Sequence, residues 1–131
     1  MSKLSLKGAF AQYNAELKNV RWASSAIAKD GSLVISCWHH FMKPYVDGHK
    51  RYEDHLSRWP PDHPGRALLS DHLGMATAGN LPVRLVIAKL DDPKQWISGE
   101  ASNLRKTFST QERLIGQVVL FDGDAFAIEF R

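Results

Sequence analysis

Aromatic and basic side chains are interleaved along one stretch of the sequence, from residue 21 to residue 59. Aromatic faces can stack on nucleobases, with a contribution of about 1–3 kcal/mol per base, while lysine and arginine pair with phosphates. The combination indicates a surface for nucleic acid. The alternative is that the rings pack in the core and rim and that the cations only solubilise the chain. The interleaved residues are Arg21, Trp22, Trp38, His39, His40, Lys43, Tyr45, Lys50, Arg51, Tyr52, Arg58 and Trp59.

All six histidines lie between positions 39 and 72, and this density raises the question of a metal site. Cys37 and His39 would alternate onto one face of a strand, and His49 or His55 could complete a set of ligands. However, the sequence contains no CxxC, HxxxH or HExxH spacing. We therefore expect no metal and no other cofactor, and we interpret the histidines as a polar rim.

Two nuclease arrangements are suggested by single residues but are not supported by their spacing. HNH-type chemistry needs a histidine base, an asparagine and a further metal ligand, yet no asparagine follows the His39-His40 pair before Asn80. A carboxylate site would use Asp122, Asp124 and Glu129, but Asp-Gly-Asp lies where a hairpin turn is expected. Neither arrangement is a persuasive catalytic motif.

Motifs for nucleophilic catalysis are also missing. There is no Gly-x-Ser-x-Gly sequence and no glycine-rich phosphate loop. Cys37 falls in the middle of an expected strand, where a buried inert thiol is the common case. A small enzyme that uses His39 or His40 as a base, with Glu53 or Asp54, stays open as a hypothesis and would require a deep pocket.

The composition is that of a folded globular protein, with 44% hydrophobic and 24% charged residues. A length of 131 residues predicts a single domain over 1–131. The lone Cys37 cannot form an internal disulfide, which favours a reducing compartment. No apolar run reaches the roughly 20 residues that cross a bilayer. We therefore expect a cytoplasmic protein with no membrane partner.

The net charge of +3 is too small to demand a polyanionic partner, but the charge is unevenly distributed. Residues 1–51 hold eight Lys/Arg and three Asp/Glu, whereas residues 52–131 hold nine and eleven. The positive potential therefore belongs to the first part of the chain, where the aromatic and basic residues begin.

Periodicity and turn chemistry predict the elements that must position these residues. A helical stripe from Leu6 to Leu17, with Ser5 as N-cap, predicts a helix over 5–17. Asp30-Gly31 between two β-prone runs predicts a hairpin of strands 21–28 and 32–41. Residues 42–64 are irregular, although 50–59 could form a strand or a short helix.

The second half of the chain reads more regularly. Residues 64–78 form a predicted helix, which begins at Pro64 and ends at Gly79-Asn80. Residues 81–90 predict a central strand buried on both faces. A short helix through Trp96, a loop at 98–102 and a short edge strand at 106–111 follow. A second hairpin, of strands 116–121 and 125–131 around Asp122-Gly123-Asp124, completes the order.

This order of elements predicts an α+β fold. We expect a small curved, mainly antiparallel sheet that closes into a barrel or half-barrel, with two to three short helices.

Part of the sequence resembles a known kind of module. From residue 18 it reads K-N-V-R-W-A-S-S-A-I, then three residues, then G-S-L-V-I-S-C-W, and it ends in G-Q-V-V-L-F-D-G-D-A-F-A-I-E-F-R. These runs, about a third of the chain, resemble PUA-like pseudobarrel modules, some of which are attached to HNH-type restriction endonucleases. Such modules often carry a second tryptophan two positions after the first, where this chain has Ser24.

The resemblance implies a concave basic face that binds nucleic acid, DNA or RNA, and reads a modified or flipped base without catalysis. It makes Trp22, Trp38 and Tyr52 the candidates for stacking. Protein interaction or homodimerisation is the alternative hypothesis. The predicted site comprises Arg21, Trp22, Trp38, His39, His40, Lys43, Lys50, Arg51 and Tyr52, in which Arg21, Lys43, Lys50 and Arg51 would contact phosphates.

Overall fold

The computed structural model describes residues 4–44, 48–92 and 106–131, which form two α-helices and eight strands. The helices are α1 (Leu6–Ala11) and α2 (Pro64–Gly79), and 3₁₀ turns lie at His39–Phe41 and Leu56–Arg58. The strands are β1 (Ser25–Ile27), β2 (Leu33–Trp38), β3 (Met42–Pro44), β4 (Lys50–His55), β5 (Val83–Leu90), β6 (Lys106–Thr110), β7 (Gly116–Phe121) and β8 (Ala125–Phe130).

The eight strands form one mainly antiparallel sheet in the order β1-β2-β5-β7-β8-β4-β3, with β6 paired to β5. The pair β2–β5 is parallel. The edge of β5 that faces away from β2 pairs with two strands. Strand β7 pairs with it only at Val83, and β6 pairs with residues 86–90. Within the described residues no ladder joins β1 to β3, so the sheet is open. The α+β prediction is confirmed, and closure into a barrel is not observed.

Strands β2 and β5 are buried on both faces, as the sequence predicts for β5. One face carries Ile35 and Leu85 into the larger core, which α2 and β8 complete. The other face carries Val34 and Val86 into a smaller core beneath the N-terminal segment. Because the middle of both strands is buried, candidate site residues can be accessible only near the ends of β2 and β5.

Helix α2 begins and ends where its local chemistry predicts. The His63 side chain accepts a hydrogen bond from the Gly65 amide at 3.0 Å, and Pro64 occupies the first turn. Asn80, in the left-handed conformation with φ of 51°, ends the helix. Leu69 and Leu73 are buried against the sheet.

The N-terminal helix is much shorter than its hydrophobic stripe predicts. Ser5 caps it as expected by accepting from the Gly8 amide, but α1 ends at Ala11 and Asn14 adopts a φ of 58°. The reason is tertiary. The Tyr13 hydroxyl donates to the Leu85 carbonyl at 2.8 Å and accepts from the Gln111 amide, which favours an irregular chain here.

Both hairpins form at their predicted turns. Strands β1 and β2 pair antiparallel around Gly31, and β7 and β8 pair around Gly123, with φ of 90° and 99° at the two glycines. The ambiguous run at residues 50–59 becomes strand β4 followed by a 3₁₀ turn. Lys106–Thr110 is an edge strand within the described chain, as predicted, whereas the expected helix through Trp96 and the loop at 98–102 lie outside the described residues.

None of the helices in the described part of the chain is both long and apolar enough to cross a membrane.

Candidate functional site

A cleft of about 600 Å³ opens at the end of β2, and three tryptophans contribute to its walls. Trp38 is the last residue of β2, Trp22 lies in the turn before β1, and Trp59 follows the 3₁₀ turn after β4. Basic side chains from equally separate parts of the sequence join them. We call this site the tryptophan cleft and define it by Val20, Arg21, Trp22, Ser24, Trp38, Arg58, Trp59, His63, Ala88, Lys106 and Phe108.

The floor of the tryptophan cleft is a single row of residues across three strands. Trp38 of β2 pairs with Ala88 of β5, and Ala88 pairs in turn with Phe108 of β6. A small side chain therefore stands between two aromatic rings on the same face of the sheet. Ala88 is 3% exposed, so its methyl group forms a closed floor between the two rings.

The Trp22 side of the cleft is held by the start of α2. A side chain at Gly65 would overlap the Trp22 carbonyl oxygen, so the helix approaches this turn as closely as glycine allows. His63 precedes it and lines the cleft, while its ring accepts from the Gly65 amide. The Trp22 turn is therefore positioned by backbone packing.

Arg58 is held in the opposite wall by a buried carboxylate. Its Nε lies 3.0 Å from both oxygens of Asp54, and its second terminal nitrogen lies 2.7 Å from Oδ2. The guanidinium carbon sits 4.0 Å from the centroid of the Trp59 ring and 5.8 Å from that of Phe41. Arg58 thus covers one face of the Trp59 indole and fixes its orientation.

Tyr52 belongs to the larger core, which corrects the expectation that its ring stacks on a base. The residue is 1% exposed, and its hydroxyl donates to Asp54 Oδ2 at 3.0 Å. Burial raises the pKa of Tyr52 well above its ordinary value. Tyr52 is a support for Asp54, and through Asp54 it helps to position Arg58.

His39 and His40 lie on the 3₁₀ turn just after Trp38. His39 is exposed, whereas His40 is partly buried, with its ring centroid 5.6 Å from that of Trp38 and 4.5 Å from that of Phe41. Burial lowers the pKa of His40, and His39 and Arg58 lower it further. The structure places this pair beside Trp38, outside the set of residues that line the cleft.

The remaining predicted cations lie on the surface formed by β3 and β4. Lys43 and Arg51 both contact Glu53, at 3.0 and 2.9 Å, and Arg51 also pairs with Glu129. Both cations lower the pKa of Glu53, and Lys43 has the larger effect. Lys50 is exposed on the same strand. Of the nine predicted site residues, the structure therefore brings Arg21, Trp22 and Trp38 to the tryptophan cleft.

The predicted set omits several residues that complete the cleft. Arg58 and Trp59 were visible in the interleaved pattern, but nothing local distinguished them from the other members. His63 directly precedes the Pro64 that predicts the start of the helix, but no pattern assigned it to the site. Lys106 had no sequence signal, because it reaches the cleft through the pairing of β6 with β5. Burial lowers the pKa of Lys106, as expected for an ammonium partly withdrawn from water.

The groups considered for catalysis are dispersed. Cys37 is buried, and burial raises its pKa well above the ordinary value. Glu53 and Asp54 are neighbours on β4 and therefore point to opposite faces, the first exposed and the second buried. Ser25 Oγ lies 2.8 Å from His72 Nδ1, but Ser25 is only 1% exposed. Within residues 4–44, 48–92 and 106–131, no group of three or more His, Cys, Asp or Glu could hold a metal.

Comparison with known proteins found no match among family models, curated proteins or solved structures.

Proposed function

We propose that this protein is a non-catalytic nucleic-acid-binding module that accepts one unpaired or flipped base, which could be a modified one, in the tryptophan cleft. The observation that carries the proposal is the convergence of Trp22, Trp38 and Trp59 with Arg21 and Lys106 on one concavity. Stacked bases need aromatic faces, and the phosphates that follow each base need cations nearby.

The size and character of the cleft suit a flat ring together with the groups attached to it. A volume of about 600 Å³ lies within the range of ligand pockets, which are roughly 300–1,000 Å³ and largely apolar. Trp38 and Phe108 flank Ala88 on the floor of the cleft, and both of these rings are only partly buried. A base inserted there would gain stacking contacts and would exchange water for apolar surface.

The charges at the cleft are not equivalent in this proposal. Arg58 is paired with Asp54, so its main part is to orient the Trp59 ring. Arg21 is exposed at the mouth of the cleft, and Lys106 is partly buried in its wall. We assign phosphate contact to Arg21 and recognition of a polar edge of the ligand to Lys106.

The proposal retains the resemblance to PUA-like modules, including the expectation of a barrel or half-barrel. Its support is the eight-stranded, mainly antiparallel sheet and the division of the β5 edge between β6 and β7. The position of the second tryptophan of such modules is Ser24 here, which lines the same cleft. Trp59 would supply the missing ring from a distant part of the chain.

Fluorescence anisotropy with labelled oligonucleotides tests the proposal. The probes are a single strand, a perfect duplex and a duplex with one mismatched pair, from which a base is extruded more easily. We expect the single strand and the mismatched duplex to bind more tightly than the perfect duplex, with affinity that falls as salt rises. An absence of binding to all three probes at low salt would refute the proposal.

Substitutions at two positions locate the binding in the tryptophan cleft. Trp38→Ala should weaken binding by about 1–3 kcal/mol, whereas Trp38→Phe should retain most of it because a ring remains. Ala88→Leu should block the space while leaving every charge in place. Lys29→Ala is the matched control, since Lys29 is exposed at the opposite end of β2 from Trp38. Circular dichroism must show that each variant stays folded.

Homodimerisation is the second candidate function, and an exposed apolar strip on β7 favours it. Val119 and Leu120 on β7 and Ile115 just before it are about half exposed. Within the described chain, β7 pairs along its length with β8, but its other edge pairs only at Gly116. Unpaired edges with apolar side chains are prone to pair with another chain. Light scattering should then show a dimer that Val119→Lys converts to a monomer. A monomer at high concentration would exclude this function.

A further inference from the structure

A second depression of about 350 Å³ adjoins the tryptophan cleft and shares two of its residues. Val20 and Arg21 line both sites, so the two depressions adjoin at these residues. The second depression is otherwise lined by residues from α1 and from the chain that precedes the Trp22 turn. We call it the lysine groove and define it by Lys7, Glu16, Leu17, Lys18, Asn19, Val20 and Arg21.

The lysine groove is anchored at its base although its rim is exposed. Leu17 is buried in the smaller core, which holds this segment against the sheet. The Asn19 side chain accepts from the Arg21 amide at 2.8 Å, and the Asn19 carbonyl accepts from the Ala23 amide at 2.9 Å. These bonds hold residues 19–23 in a turn that contains Val20 and Arg21.

The charge of the lysine groove is positive overall. Lys7, Lys18 and Arg21 contribute three cations, and Glu16 contributes one carboxylate. All four side chains are exposed, and Val20 is 53% exposed at the junction with the tryptophan cleft. An exposed apolar side chain between cations fits a ligand that alternates anionic groups with uncharged rings.

We infer that the lysine groove is a phosphate track, so that the ligand is an oligonucleotide and not a free nucleotide. The inference rests on the proposed function, because the tryptophan cleft must hold a base for the track to continue from it. Arg21 then contacts the phosphate next to that base, and Lys18 and Lys7 contact the following phosphates. The sugar that links these phosphates packs on Val20.

An acidic peptide could pair with the cations of the lysine groove, but it would not also place a flat ring in the tryptophan cleft. Single-stranded nucleic acid places a flat ring and an anion in every repeat, so one strand can occupy both sites together. The geometry therefore points to nucleic acid, and a peptide serves as the contrasting probe.

Calorimetric titration with three ligands tests this inference: thymidine 5′-monophosphate, a thymidine hexanucleotide and hexaglutamate. The track variant carries Lys7→Ala and Lys18→Ala. The control variant carries Lys29→Ala and Arg113→Ala, which remove the same charge from exposed positions that line neither site in the described chain. Trp38→Ala reports on the tryptophan cleft in the same experiment.

We expect the natural protein to bind the hexanucleotide more tightly than the mononucleotide. The track variant should retain its affinity for the mononucleotide. Its affinity for the hexanucleotide should fall to about that for the mononucleotide. Its slope of log affinity against log salt should become shallower by about 1.4, for two lost contacts to a single strand. The control variant should match the natural protein.

Each other outcome is decisive. If the track variant keeps the gain from length, the phosphate track is wrong, and mononucleotide binding that Trp38→Ala removes would still support the tryptophan cleft. If Trp38→Ala changes nothing while the track variant loses hexanucleotide binding, the lysine groove binds the phosphates by itself, and both the base-binding proposal and the track as its continuation are wrong. Hexaglutamate that binds as tightly as the hexanucleotide would overturn the assignment to nucleic acid.

Discussion

Asp54 and Arg58 form a nearly buried ion pair, with side chains 5% and 14% exposed, and Arg58 is part of the wall of the tryptophan cleft. The four-residue separation spans the end of β4 and the 3₁₀ turn, so the pair fixes the direction in which the chain leaves the strand. Because the guanidinium lies over Trp59, the same pair determines where that indole sits. A core carboxylate therefore controls the shape of an exposed site.

Asp54→Ala should destabilise the protein by about 3–5 kcal/mol, because it leaves the Arg58 charge without its buried partner. Chemical denaturation with urea measures the change. Glu53→Ala, one residue away on the exposed face, is the matched control and should cost less than about 1 kcal/mol. Equal losses for the two variants would show that the Asp54–Arg58 pair contributes no more than a surface pair.

Two glycines of α2 should respond to alanine in opposite directions. At Gly65 a methyl group would overlap the Trp22 carbonyl oxygen, so Gly65→Ala should cost about 1–3 kcal/mol and disturb the tryptophan cleft. At Gly74 the space is open, so Gly74→Ala should stabilise the helix by about 0.8–1 kcal/mol. Thermal unfolding of both variants checks this, and a stabilised Gly65→Ala would contradict the close approach of α2 to Trp22.

Arg21 and Arg51 should differ in their effect on the binding of a single-stranded oligonucleotide. Arg21→Ala should reduce the magnitude of the salt slope by about 0.7, as expected for one lost phosphate contact. Arg51→Ala should leave the slope unchanged, because Glu53 and Glu129 already neutralise that guanidinium. A larger effect at Arg51 than at Arg21 would move the binding surface to β3 and β4.

Stability should fall as the pH is lowered through the range in which histidine titrates. Burial lowers the pKa of His72 below the value of about 6.5 for an unfolded chain, and Lys18 lowers it further against the opposing effect of Asp71. Between the folded and unfolded pKa values the unfolded chain binds more protons, so stability decreases as pH falls through this window and then levels off.

Urea unfolding across this pH range should therefore show a weaker dependence in His72→Gln than in the natural protein. Ser25→Ala removes the partner of His72 but keeps the imidazole, so it should retain the pH dependence. An unchanged dependence in His72→Gln would assign the effect to another group, and burial of His40 makes that residue the next to test.

Local chemistry in the sequence determined the bounds of α2, the turns of both hairpins and the central position of β5. His63-Pro64 and Asn80 bound α2, glycines in the turns form both hairpins, and the apolar residues on both faces of β5 predict a central strand. These features depend on backbone preferences of near neighbours, so they can be read without knowing the fold. Trp22 and Trp38 were likewise identifiable as candidates from their types and their neighbours.

Only the tertiary structure decided which of those candidates meet. The tryptophan cleft needs the parallel pairing of β2 with β5 and the pairing of β5 with β6, which align Trp38, Ala88 and Phe108 in one row. Such pairings join residues about 20 to 50 positions apart along the chain, and no local pattern specifies them. The same long-range packing buried Tyr52 and shortened α1, because contacts across the core outweigh the preference of a short segment.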